Sequence, residues 1–135
     1  MRSNFPEVTK NLLRFSAGAM LCGFHGFTAV KGCWNYWFNG EAWEFINLVT
    51  QLGLPFASIG ATLAALAESF GAALLALGAV TRYAAASVAI TMAIAASHAY
   101  TFYGVFDLPG FYALVALFFV FNSPGEFSVD AKLGR

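Results

Sequence analysis

Stretches without a single Asp, Glu, Lys or Arg divide the chain: residues 15–30, 45–67, 69–81, 83–106 and 108–125. A helix that crosses the hydrocarbon core of a bilayer needs about 20 mostly apolar residues. Joined across Glu68 and trimmed at Pro and Gly, the runs predict four membrane helices, at about 9–31, 55–80, 83–104 and 108–122. Pro55 suits the first turn of the second helix. Asp107 is the expected N-cap of the fourth, with Pro109 in its first turn, and Pro124 stops it. The fourth is short, its roughly 15 residues reaching only about 22 Å.

Projected at about 100° per residue, the second helix carries one bulky stripe, Phe56, Ile59, Leu63, Leu66, Phe70, Leu74 and Leu77. This is the expected lipid face. Opposite it lie Ala57, Ala61, Ala65, Glu68, Ala72 and Ala79, small residues that let a neighbouring helix approach closely. In the first helix Leu13, Met20, Phe24 and Phe27 form the bulky side. Asn11, Arg14, Gly18, Cys22, His25, Ala29 and Gly32 form the other. The third helix has a polar stripe of Ser87, Thr91, His98 and Thr101. Between the first two spans the pattern changes. Ala42, Phe45, Ile46, Val49 and Leu52 recur at helical spacing among Glu41, Glu44, Asn47 and Gln51, and all three tryptophans lie just before them or beside them. That predicts a short amphipathic helix, about 41–52, lying in the membrane interface.

Composition agrees with a bilayer setting. Of 135 residues, 59% are hydrophobic and 10% charged, against about 25% charged in soluble domains; mean hydropathy is +0.68. The expected fold is therefore all-α, a polytopic membrane four-helix bundle in a single domain, 1–135. A net charge of zero gives no footing for nucleic acid. With four spans, Arg2, Lys10, Arg14, Arg82, Lys132 and Arg135 share the side of the termini and Lys31 alone lies opposite, so the termini are expected in the cytoplasm. The first helix runs into Lys31 and a bulky aromatic run without a small-residue cleavage site, which does not read as a signal peptide. Cys22 and Cys33 are about 16 Å apart along one helix, too far for a disulfide, and no zinc spacing is present.

The charged and titratable groups inside the spans carry the functional expectation. Glu68 falls near the midplane, and an intramembrane ionisable residue is a functional candidate by default. Arg14 faces inward on the adjacent helix, about 6 Å away in depth, and the two are expected to form a buried ion pair. His25 and His98, the only histidines, each lie about 9 Å below the outer surface. His25, Glu68, Thr91 and His98 are the expected ligand-binding set. No nucleophile–base pair, phosphate loop or metal-ligand cluster marks a self-contained enzyme.

The run LGLPFASIGATLAALAESFGAALLALGAVTRYAA closely resembles the central signature of the DoxX family of small four-helix membrane proteins. LLRFSAGAMLCGFHG is similar to that family's first helix, with Arg14 and the His25-Gly26 pair in place, and SPGEFSVDAKL resembles its C-terminal Gly, aromatic, Ser, aliphatic, Asp pattern. The family often has a lysine four residues after that histidine, where this chain has Ala29, with Lys31 two residues on. The resemblance implies a bacterial or archaeal cytoplasmic-membrane protein akin to subunits of respiratory and sulfur-oxidising quinone oxidoreductases. Three function classes stay open: an oxidoreductase subunit binding a quinone-like apolar redox ligand, a cofactor-free structural or assembly subunit of a larger membrane complex, and a haem- or pigment-binding subunit using His25 and His98. Each has the bilayer as a partner, and the first two also have other membrane-protein subunits.

Overall fold

The structure, a computed structural model, describes residues 5–135; Arg2, one of the cations on the expected cytoplasmic side, lies outside them. Helices form all the regular structure among the described residues. The first helix, α1, runs as Phe5–Met20, a π-helical Leu21–Gly26 and Phe27–Asn39 without a break. Then follow α2 (Glu44–Gln51), α3 (Ala57–Leu77, π-helical over Ala67–Gly71), α4 (Thr81–Tyr103), α5 (Asp107–Phe121) and a short α6 (Val129–Lys132).

Two of these, α3 and α4, are long and apolar enough to cross a membrane, and α5 is a shorter apolar helix. α1 lies antiparallel on α3, which packs on α4, which packs along α5, and α5 returns to the first half of α1. The α1–α3 contact is made by missing side chains. A Cβ on Gly18 would sit 2.6 Å from the Ala72 carbonyl oxygen, and one on Gly26 would run into the Glu68 backbone. The core between the helices is built from Leu21, Leu75, Val88, Met92, Val115 and Phe119. The bulky stripe of α3, from Phe56 to Leu77, is exposed along its length, as are Leu13, Met20, Phe24 and Phe27 of α1.

α1 continues two turns beyond Lys31. A single charge does not stop a helix, and Gly40, in the left-handed conformation at φ 69°, is the first residue that does. The added turns are held on α3 by Trp37 Nε1, which donates to Thr62 Oγ1 at 3.0 Å, and by the Tyr36 hydroxyl at 3.5 Å from Ser58 Oγ. α2 is shorter than the expected 41–52. Trp43, in extended conformation, precedes it, and the indole lies where a Cβ on Gly32 would be. α3 begins at Ala57, after Phe56 in the left-handed region at φ 55°, so Pro55 stands before the helix and not in its first turn. Asp107 is the first residue of α5 and not its cap, a place taken by Phe106; its Oδ1 accepts from Leu108 N at 2.7 Å.

Candidate functional site: a cavity at the two π turns

The π-helical segment of α1, Leu21–Gly26, packs directly on that of α3, Ala67–Gly71. A π turn inserts one extra residue and redirects the side chains around it, and such turns are frequent at functional sites. Here one contains His25 and the other Glu68. Beside them opens a cavity of about 480 Å³, within the range of small-molecule sites. Most of its wall is apolar. Leu21 and Met92 lie among its inner walls, Leu108 and Pro109 belong to α5, and Phe45, Leu48, Val49 and Leu54 come from α2 and the turn after it. The polar side chains that line it are His25, Glu68, Thr91 and Tyr112.

Helix register explains the grouping. Gly26 abuts Glu68, which sets His25 beside it. A Cβ on Gly71 would lie 2.8 Å from Ser87 Oγ. Glu68 is three residues from that contact and Thr91 four residues from its other side, so the two stand at one level. Tyr112 is buried, and its ring meets the His25 imidazole edge-on at 6.4 Å between centroids. Sequence reading passed over Tyr112 because it sits in an aromatic-rich run. Its signal is that it carries the only hydroxyl between Pro109 and Asn122.

His98 is not part of the cavity. It lies about seven residues, roughly 10 Å, beyond Thr91, where its Nε2 pairs with Gln51 Oε1 at 2.8 Å and its ring packs 4.6 Å from Phe102. Equal depth for His25 and His98 assumes that the first helix ends at Lys31. α1 runs on to Asn39, so His25 lies 14 residues from the end of its helix and His98 five from the end of α4, and the two imidazoles do not line one cavity. Thr101, of the same expected polar stripe, is exposed.

The expected Arg14–Glu68 ion pair is not formed. Arg14, only 2% exposed, donates through Nε to the Pro124 carbonyl at 2.8 Å, through Nη1 to the carbonyls of Leu75 at 3.0 Å and Ala76, and through Nη2 to Asn11 Oδ1 at 3.1 Å. The register is again the reason. Gly18 lies on Ala72 and Ala76, so Arg14, one turn earlier, reaches the end of α3, about 10 Å from Glu68. There it adds donors to carbonyls at a helix C-terminus, where Leu75 also accepts from Gly78 N at 3.1 Å. Glu68, 7% exposed, has no ion-pair partner among the described residues, and its carboxyl belongs to the cavity wall.

No group of three or more His, Cys, Asp or Glu side chains able to hold a metal ion occurs among the described residues. Cys22 and Cys33 are both free thiols.

No curated protein and no solved structure matches the chain. The DoxX family profile matches residues 10–104, a span that holds α2, α3, α4 and all of α1 from Lys10 onward, with three of the four polar residues of the cavity. On that match the chain belongs to the DoxX family.

Proposed function

We propose that this DoxX-family membrane protein crosses the bilayer four times, through α1, α3, α4 and α5, and serves as the membrane subunit of an oxidoreductase. In this reading it holds a quinone-like apolar ligand in the cavity at the π turns. The observation that carries the reading is the Glu68 carboxyl, set in an apolar cavity with no ion-pair partner among the described residues. No buried side-chain oxygen or nitrogen lacks a partner among the described residues, so the unpaired Glu68 oxygens are open to the cavity, where a ligand offering a hydrogen-bonding group can meet them in an otherwise apolar wall. A quinone ring presents oxygens that accept from Thr91 Oγ1 or the Tyr112 hydroxyl, and its reduced form presents hydroxyls that donate to Glu68. His25, at the same level, is a second group able to give or take a proton. The chain itself supplies binding, orientation and proton-exchanging groups, while electrons come from the complex around it.

The cations bear on orientation. Lys10, Arg14, Arg82, Lys132 and Arg135 gather at one end of the helices, and Lys31 lies in the opposite half, about 12 Å short of the end of α1, which supports cytoplasmic termini in a bacterial or archaeal cytoplasmic membrane. α5 spans about 22 Å, a mismatch that local thinning of the bilayer accommodates.

The test is purification in mild detergent followed by solvent extraction and mass spectrometry. Wild-type protein is expected to yield a bound quinone near one per chain, and Glu68→Gln to lose most of it while eluting as a folded species. Wild-type protein that carries no quinone and binds none when one is added would overturn the reading in favour of a cofactor-free structural subunit.

A further inference from the structure

The seam between α3 and α4 is closed at one level and open above it. At Gly71 and Ser87 the helices touch. Ala67–Gly71 and Ala72–Leu77 both pack on α4, whereas Ala57–Leu66, toward the end of the molecule away from the termini, barely meets it. The face of α4 that carries Ser87 continues through Ile90, Thr91, Ile94 and Ala95, at the spacings that keep one helix face, and all four line the cavity. On α3 the facing wall is Gly60, Leu63 and Ala64. The top of the opening is crossed by α2, tied to α4 through Gln51 and His98. From Ser87 to His98 is about 16 Å of helix. Leu63 and Ile90 line the cavity and are also 62% and 63% exposed. Residues that do both mark a place where the cavity and the surrounding lipid are continuous.

We infer that this gap is a lateral portal, through which an amphiphile with a hydrogen-bonding ring and an aliphatic tail enters from the leaflet away from the termini. The ring goes in to Glu68 and Thr91, and the tail stays between Leu63 on one side and Ile90 and Ile94 on the other. The inference rests on the ligand site proposed above. Between Ser87 at one end and the Gln51–His98 pair at the other, the side chains framing the gap are apolar apart from Thr91, so a charged, water-borne molecule would lose its hydration there without compensation. A molecule already dissolved in lipid has no hydration to lose. α2 closes the direct path from the aqueous face with Phe45, Leu48 and Val49.

The experiment uses the full chain in lipid nanodiscs and a benzoquinone with a ten-carbon tail that carries a diazirine close to its ring end. After illumination, cross-linked residues are identified by peptide mass spectrometry. Saturable labelling concentrated on Leu63, Ile90 and Ile94, lowered at least fivefold by Glu68→Gln and by Thr91→Val, is the expected result. Saturable labelling that falls in those variants but sits on α1 or α5 would overturn the portal and leave the ligand site standing. Labelling that never saturates and ignores both substitutions would overturn the site and the portal together.

Discussion

Arg14 and Glu68 are both buried, and they do different work. Arg14 joins three chain segments by giving its donors to the carbonyls of Leu75, Ala76 and Pro124. Replacement by Met takes the donor from the Ala76 and Pro124 carbonyls, while Leu75 keeps Gly78 N at 3.1 Å, and each unsatisfied buried group costs about 1–3 kcal/mol. Arg14→Met is therefore expected to lower the detergent-solubilised melting temperature strongly. Arg14→Lys should restore only part, because an ammonium on one stem lacks the fork that spans acceptors in different directions. Glu68→Gln is expected to leave the melting temperature of ligand-free protein nearly unchanged, since no ion pair is broken. A loss in the double variant smaller than the sum of the two single losses would show that the two side chains are coupled after all. That one arginine and one glutamate sit inside apolar helices was readable from the sequence. Their partners were not, because a shift of one or two turns in helix register exchanges a carboxylate for a row of carbonyls.

The helices show where sequence pattern is sufficient and where it fails. The lipid-facing stripe of α3 follows from periodicity alone, because side chains four apart stack on one face wherever the helix starts and ends. The extra turns of α1 do not, since they depend on Trp37 and Tyr36 finding Thr62 and Ser58 in another helix. The π turns leave no compositional trace, yet they bring His25 and Glu68 together. Gly26 is what allows their contact, so Gly26→Ala should force the two segments apart, lowering stability by about 1–3 kcal/mol and reducing quinone retention. Gly23→Ala, where an added Cβ meets nothing within 4 Å, is the matched control and should retain both. The start of α4 depends on another remote residue. Asp130 accepts from Val80 N at 2.9 Å, Thr81 N at 2.8 Å and Thr81 Oγ1 at 2.7 Å, capping a helix 49 residues away from it in sequence. Burial works against its charge, but these donors, with Arg135 nearby, outweigh burial and hold the carboxyl below its ordinary range. A depressed folded-state value means that the contribution is fully present above the unfolded carboxylate value, about pH 4, and is lost as pH falls through the folded value. Wild-type protein should thus lose thermal stability on acidification below about pH 4. Asp130→Asn should begin less stable by about 1 kcal/mol and show a flatter acid limb, both readable from melting curves across pH.

For the whole molecule, the two ends differ in chemistry. One end gathers Glu7, Lys10, Arg14, Arg82 and Asp130, tied by the Glu7–Lys10 pair at 2.7 Å, by Lys10 to Ser123 at 2.9 Å and by the C-terminal segment folded back under α3 and α4. The other end is aromatic, with Trp34 tilted 4.3 Å from Phe38 and Trp43 stacked 5.3 Å from Phe45, side chains suited to a membrane–water boundary. If α1, α3, α4 and α5 all cross, one crossing separates Asn39, exposed at the end of α1, from the N-terminus, and four separate the two termini. In a background with both cysteines replaced by serine, Asn39→Cys should react with a membrane-impermeant maleimide on intact cells, and Lys132→Cys only after permeabilisation. The reverse result would invert the orientation and place the portal in the cytoplasmic leaflet. Equal reactivity of both sites from one side would mean that one long helix, most simply the 22 Å α5, lies outside the bilayer. It would also leave the cavity without its Tyr112 wall in the membrane, so this labelling pattern bears on the ligand site as well as on the topology.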